Sequence, residues 1–176
     1  MMNNAMQAAR EVGFETVEAL NVATLHAMVE VRDMCATDKC DAYGKNWSCP
    51  PACGTLEECA QRMGQYTQGF LIQTVGELED SWDYEGMEEI IGNHKKRVEV
   101  LNDKLKALGG DYLLLTAGGC TLCKKCNYPE PCRFPGKMLS SMEAYGLLVS
   151  QVCQDNNVKY YYGSDKLAYT GCVLIR

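Results

Sequence analysis

The sequence predicts an α/β protein: a single-domain layered sandwich of a mixed sheet with helices, with cysteine-rich loops at the element ends. Two observations point there. Short apolar runs alternate along the chain with segments of helical periodicity. Nearly half of the 176 residues are apolar, enough to bury a core, and no repeat, low-complexity tract or linker divides residues 1–176.

Taken in order, an amphipathic segment over Asn3–Gly13 leads to a strand at Thr16–Val22, and then to a cysteine-rich loop from Cys35 to Cys53. Thr55-Leu56-Glu57-Glu58 reads as a capping box, with Thr55 as N-cap and Glu58 reaching back. The helix that follows places Leu56, Cys59, Ala60 and Met63 on one face. GFLIQTV, Gly69–Val75, is the next strand. A long helix over Asp83–Leu108 repeats Met87, Ile90, Ile91, His94, Val98, Leu101, Leu105 and Leu108 at helical spacing, and Gly109-Gly110 stops it. YLLLT, Tyr112–Thr116, is apolar enough for a central strand. Ser140-Ser141-Met142-Glu143 reads as a second capping box, opening a helix with Met142, Tyr145, Val149, Val152 and Cys153 inward. Lys159–Tyr162 and Tyr169–Ile175 close the chain as strands of a hairpin turning at Gly163-Ser164-Asp165.

Composition excludes several classes. A net charge of −6 argues against nucleic acid or an anionic membrane as partner. No apolar run approaches the roughly 18 residues of a membrane span, and MMNNAMQAAREVGFE lacks the charged-then-apolar pattern of a secretory signal. The expectation is a cytoplasmic protein. Its eleven cysteines are odd in number, and in a reducing compartment clustered thiols read as metal ligands rather than disulfides.

The clearest cluster is GGCTLCKKCNYPEPCRFP, with Cys120, Cys123, Cys126 and Cys132 inside thirteen residues. A tetrahedral zinc site is usually built from two C-x2-C knuckles some 15–20 residues apart, or from paired Cys and His. C-x2-C-x2-C instead opens the bacterial ferredoxin pattern, whose thiolates ligate a [4Fe–4S] cube. The departure is the longer gap before Cys132, which contains Pro129 and Pro131. That loop can fold back to close the same cluster, or Cys132 can serve a neighbour. Zinc is the alternative. Lys124, Lys125, Arg133 and Lys137 outnumber Glu130 nearby, a rim that eases reduction of an anionic cluster or orients an acidic partner.

CATDKCDAYGKNWSCPPAC supplies Cys35, Cys40, Cys49 and Cys53. Its spacing fits neither a zinc finger nor a single ferredoxin run. Pro50 and Pro51 fix the chain after Cys49, and Gly44 permits a tight turn, as a loop shaped around a rigid ligand needs. A second [4Fe–4S] cluster is the expectation, with zinc next. Cys53 decides between two functions: four thiolates give an electron carrier, whereas three leave an open iron that binds substrate as a Lewis acid. Cys172 is the other thiol available to complete the site. Cys59 and Cys153 lie on apolar helix faces and read as core, as does His94; His26 is the only other histidine. No phosphate-cradling glycine loop, nucleophile elbow or carboxylate pair is present, so no catalytic residue is assigned.

CATDKCDAYGKNWSCPP (Cys35–Pro51) together with GGCTLCKKCNYPEPCRFPGKMLSSMEAYG (Gly118–Gly146) resembles the uncharacterised family called domain of unknown function 2284, predicted metal-binding proteins. The likeness runs from about Val31 onward. In the first loop it is carried by Cys35, Cys40, Cys49, Pro50 and Pro51, and does not require a cysteine at position 53. In the second it is carried by Cys120, Cys123, Cys126, Cys132 and the run Ser141–Ala144. The resemblance implies metal binding, iron–sulfur in kind, in an anaerobic or reductive setting, and supplies no reaction. Three functions follow: a two-cluster electron carrier serving a redox partner protein, a cluster enzyme with an open iron in the first loop, or a zinc-stabilised interaction module.

Overall fold

A computed structural model describes residues 1–176. Four strands carry the architecture, and the two longest, central ones are buried in continuous runs, as a sheet covered on both faces imposes. β1 (Thr16–Leu20), β2 (Gln68–Glu77), β3 (Tyr112–Leu115) and β4 (Lys166–Ile175) form one sheet in the order β1-β2-β4-β3. Every strand pair is antiparallel, and the only parallel contact is an isolated bridge between Thr116 and Ser141. Phe70, Ile72, Leu114, Val173 and Ile175 point to one face, where α1 (Met2–Val12) and α4 (Tyr84–Leu108) cover them. Leu71, Leu115, Cys172 and Leu174 point to the other, under α3 (Leu56–Met63), α5 (Val149–Asp155) and the chain around Met142–Leu147. The layered α/β architecture is as the sequence predicts, although the sheet is antiparallel throughout rather than mixed. The remaining helix, α2 (Val29–Ala36), enters the first cysteine loop. No helix is long and apolar enough to cross a membrane.

The helix start at Thr55 matches its sequence signal closely. The Thr55 hydroxyl accepts from the Glu58 amide at 3.1 Å, while the Glu58 carboxylate accepts from the Thr55 amide at 2.8 Å. Asp83 caps α4 by accepting from the Gly86 amide at 2.9 Å.

Three further expectations are corrected. YLLLT is an edge strand, hydrogen-bonded to β4 alone. Its apolar run reflects helices and loops on both faces rather than a central position, since Leu114 packs into one core and Leu115 into the other. Met142–Cys153 is not one helix. A single 3₁₀ turn over Glu143–Tyr145 ends at Gly146, whose φ of +78° is a left-handed stop, and α5 begins only at Val149. The cap there is Ser141, whose hydroxyl accepts from the Ala144 amide at 3.0 Å. Lys159–Tyr162 is not a strand, because β4, its expected hairpin partner, is flanked by β2 and β3 and has no free edge. The buried Gln73 side chain ties that segment down instead, donating to the Lys159 carbonyl at 2.8 Å and accepting from the Tyr162 hydroxyl at 2.9 Å.

His94 is a core histidine, fully buried, with Nδ1 3.0 Å from the Thr74 hydroxyl and its ring edge-on to Phe14. Burial, reinforced by Arg97 and Lys95, pushes it down from 6.5 to about 4. The unfolded chain therefore binds this proton first, and stability falls as pH drops from 6.5 toward 4. The expected loss is about 3 kcal/mol across that window. Denaturant titrations at several pH values check it. His94→Leu should flatten the slope there; an unchanged slope would assign it to other groups.

Candidate metal centres

The first cysteine loop is shaped by its own polar groups. Cys35 sits in the last turn of α2, and the chain then reverses through Asp38, at φ +53°. The Asp38 carboxylate accepts from the amides of Ala42 and Tyr43 at 2.8 and 2.9 Å and pairs with Lys45 at 2.7 Å. Gly44, at φ +65°, donates to the Pro50 carbonyl at 2.9 Å, which closes the return leg carrying Cys49.

Cys35, Cys40 and Cys49 thereby line one cavity of about 310 Å³. Gly118, Gly119 and Glu143 form part of its wall. Burial pushes the thiols of Cys35 and Cys49 up, with Glu143 adding to the effect at Cys35. A bound cation is what reverses such a shift, because it stabilises the thiolate. The three thiols stand around the cavity rather than at one point: no three His, Cys, Asp or Glu side chains are close enough together to hold a single ion.

Cys53 does not line this cavity. It is 8% exposed, its Sγ donates to the Ala144 carbonyl at 3.7 Å, and Arg32 Nη2 lies 3.8 Å from it. The same Nη2 donates to Cys59 Sγ at 3.2 Å and to the Gly54 carbonyl at 2.8 Å. A hydrogen bond from Cys53, with Arg32 beside it, holds the Cys59 thiol below its ordinary value and drives Cys53 upward. Cys53 and Cys59 are thus a buried dithiol clamped by one guanidinium. Cys153 and Cys172 are fully buried in the core beneath α5, and neither borders a cysteine-lined cavity.

In the second loop Cys120, Cys123, Cys126 and Cys132 all border one small cavity of about 10 Å³. Arg133 braces the loop from outside, donating to the Lys125 carbonyl at 3.1 Å and to Asn127 Oδ1 at 2.8 Å. Asn127 in turn donates to the Pro131 carbonyl at 2.8 Å, and the Phe134 amide points at Cys132 Sγ from 3.4 Å. Of the expected basic rim, Lys124 and Lys125 are exposed, Arg133 is committed to the loop, and Lys137 pairs with Glu99 at 3.2 Å.

The two loops are fastened to each other. Asn46 Nδ2 donates to the Cys120 carbonyl at 3.0 Å, and the Cys120 amide donates to the Ser48 hydroxyl at 2.8 Å. Trp47 donates to the Glu130 carbonyl at 2.8 Å and packs edge-on against Tyr128, with ring centroids 5.0 Å apart. Gly119 is the wall between them; a Cβ there would stand 3.3 Å from Cys49 Sγ. Lys95 donates to the Gly119 carbonyl at 2.7 Å and so ties this wall to α4.

A family of predicted metal-binding proteins, DUF2284, matches residues 18–175, nearly the whole chain and both cysteine loops. The chain belongs to the DUF2284 family. No curated protein and no solved structure matches it. The DUF2284 assignment supports metal binding by a cysteine-rich chain, and the thiols gathered at two adjoining cavities are where this structure offers it.

Three residues of this DUF2284 chain escaped sequence reasoning. Glu143 fits a capping-box pattern, but the residue borders the first cavity, and its Oε2 is buried and unpartnered. Burial pushes that carboxyl above its ordinary range. Arg32 lies 21 residues from Cys53, too far for a spacing rule, and Cys59, only six residues on, reads as a core position of its helix face. The one usable signal was that Glu143 belongs to the Ser141–Ala144 run of the second motif.

Proposed function

We propose that this protein holds two iron–sulfur clusters side by side and passes electrons between them and a redox partner. Cys35, Cys40 and Cys49 hold the first; Cys120, Cys123, Cys126 and Cys132 hold the second. The observation that carries the reading is the direct fastening of the two cysteine loops through Asn46, Ser48 and Cys120. It places two thiol-lined sites on either side of a single glycine. The donor set fits: clustered soft thiolates favour iron–sulfur clusters or zinc over hard cations, and a 310 Å³ space ringed by three separated thiols suits a polynuclear group better than one ion. A [4Fe–4S] cube in such a site supplies reversible one-electron transfer. The chain's own contribution is to fix the thiols, wall the first site with the buried apolar side chains of Val31 and Ala144, and present Lys124 and Lys125 to an acidic partner surface.

A second reading has a specific observation behind it. Because Cys53 faces Cys59 and Arg32, only three thiols line the first cavity, and a substrate-binding iron there would make the protein an enzyme.

Anaerobic purification tests the leading reading. Brown protein with about eight irons and matching acid-labile sulfide per chain is expected. Colourless protein loaded with zinc would overturn it in favour of a zinc-stabilised module.

A further inference from the structure

We propose that Glu143 is the fourth protein ligand of the first metal centre, which makes that centre a three-cysteine, one-glutamate site. The assignment rests on the reading that the first loop holds a metal cluster, and it names the group that completes the set.

Position comes first. Glu143 shares the first cavity's wall with Cys35, Cys40 and Cys49, and Cys35 Sγ lies 3.9 Å from the Glu143 carbonyl oxygen. The backbone that presents it is held at both ends. The Thr116 amide donates to the Ser140 carbonyl at 3.0 Å and the Met142 amide to the Thr116 carbonyl at 2.9 Å, so β3 prolongs itself into this segment. Beyond it, the Gly146 carbonyl accepts from the Met28 amide at 2.8 Å, just before α2. Met142 and Tyr145, on either side, are anchored in the core. Glu143 is therefore placed by the fold rather than by the loop it faces.

Its chemistry is unfinished. Oε2 is buried without a hydrogen-bond partner, and Glu143 takes part in none of the chain's salt bridges. A buried carboxylate oxygen without a donor costs free energy that folding alone does not return, and such an atom needs a reason. A cation among the neighbouring thiols is that reason. The competing groups are already committed. Asp38 also borders the cavity, but its carboxylate is spent on two amides and Lys45. Cys53 is bound to Cys59 and Arg32, and Cys172 is sealed in the core. Glu143 is held by Ser141 and its own backbone amide, yet keeps one uncommitted donor atom, Oε2.

A carboxylate is a harder donor than thiolate and a weaker ligand for the iron of a cluster. The glutamate position is therefore the one that an incoming small ligand displaces. This reconciles the two functional readings: the centre is closed at rest and opens at one iron when a competing ligand arrives.

The test uses the full chain, prepared anaerobically as wild type, Glu143→Gln, Glu143→Cys and Cys53→Ser, with iron and sulfide content, electron paramagnetic resonance and reduction potentials as readouts. Glu143→Gln should lose about one iron per chain and give a three-iron resonance on mild oxidation. Glu143→Cys should keep all the iron while one centre's potential falls, and its metal loading shows that the position tolerates change. Cys53→Ser should match wild type. Unchanged iron and spectra in Glu143→Gln, or loss of iron in Cys53→Ser, would overturn the assignment. If wild type carries zinc and no sulfide, the iron–sulfur reading fails separately. The ligand assignment then stands or falls on whether Glu143→Gln weakens zinc binding at one of the two sites.

Discussion

Cys40→Ser and Cys123→Ser are each expected to strip metal from one centre and leave the other loaded, so that metal per chain falls to roughly half. The argument is chemical before it is structural. Serine nearly matches cysteine in size, but its hydroxyl stays protonated at neutral pH and offers a hard oxygen where a soft thiolate is required. Cys40 is exposed and Cys123 half-buried, so neither substitution disturbs the core, and whatever is lost belongs to the metal. Because binding free energy at such sites is also folding free energy, each variant should unfold several degrees earlier than wild type, and the difference should vanish once both are stripped with a chelator. Cys153→Ser is the control: its thiol is buried in the core beneath α5, so it should lose stability while keeping all of its metal. Full metal loading in Cys40→Ser would remove Cys40 from the ligand set.

The fastening between the loops adds a second-order expectation. Cys120 is a proposed ligand whose amide and carbonyl are both held by first-loop side chains, Ser48 and Asn46. Emptying the second centre should therefore loosen the first and raise its metal dissociation rate, although its own thiols are intact. Emptying the first should act less strongly on the second, because Arg133 and Asn127 brace that loop from within.

How much of this was legible in the sequence depends on the range of the interaction that decides each feature. The capping box at Thr55 and Glu58 and the periodic face of α4 are decided within one or two helical turns, and the sequence states them directly. The edge position of YLLLT is decided by which strands compete for β4, and its apolar character is the same wherever it sits in a sheet covered on both faces. The ligand loops show the same division. Cysteine spacing announced two thiol-rich sites, and the structure gathers the second loop's four thiols at one cavity. The orientation of Cys53 could not be read, because it is decided by Arg32 on α2 and Cys59 on α3. Glu143 was hidden by a pattern that suited it locally: Ser-x-x-Glu reads as a cap, and only the left-handed stop at Gly146 shows that no helix follows to be capped.

Gly146→Val is expected to cost roughly 3 kcal/mol or more and to weaken the first centre while sparing the second. Two penalties combine. The φ of +78° at Gly146 lies where a residue with a Cβ loses about 1–2 kcal/mol, and a β-branched residue fares worse. A Cβ there would also stand 3.0 Å from the Met28 amide nitrogen and 3.2 Å from its carbonyl oxygen, with Leu56 Cδ1 at 2.5 Å. The leucine methyl can rotate away, but the backbone cannot, so Met28 and Gly146 must part and lose the 2.8 Å hydrogen bond that joins them. That bond links the segment before α2, which carries Cys35, to the turn that carries Glu143. Separating them widens the first cavity on the side where the Cys35 thiol meets the Glu143 backbone carbonyl, whereas the second loop lies beyond Gly119 and keeps its own braces. Gly92→Ala on α4 is the matched comparison: nothing lies within 4 Å of its added methyl, and better helix propensity should raise stability by about 0.5–1 kcal/mol. Denaturant unfolding and metal content measured on both variants decide the matter. A stable Gly146→Val protein with a fully loaded first centre would mean that the Met28–Gly146 seam does not position the site.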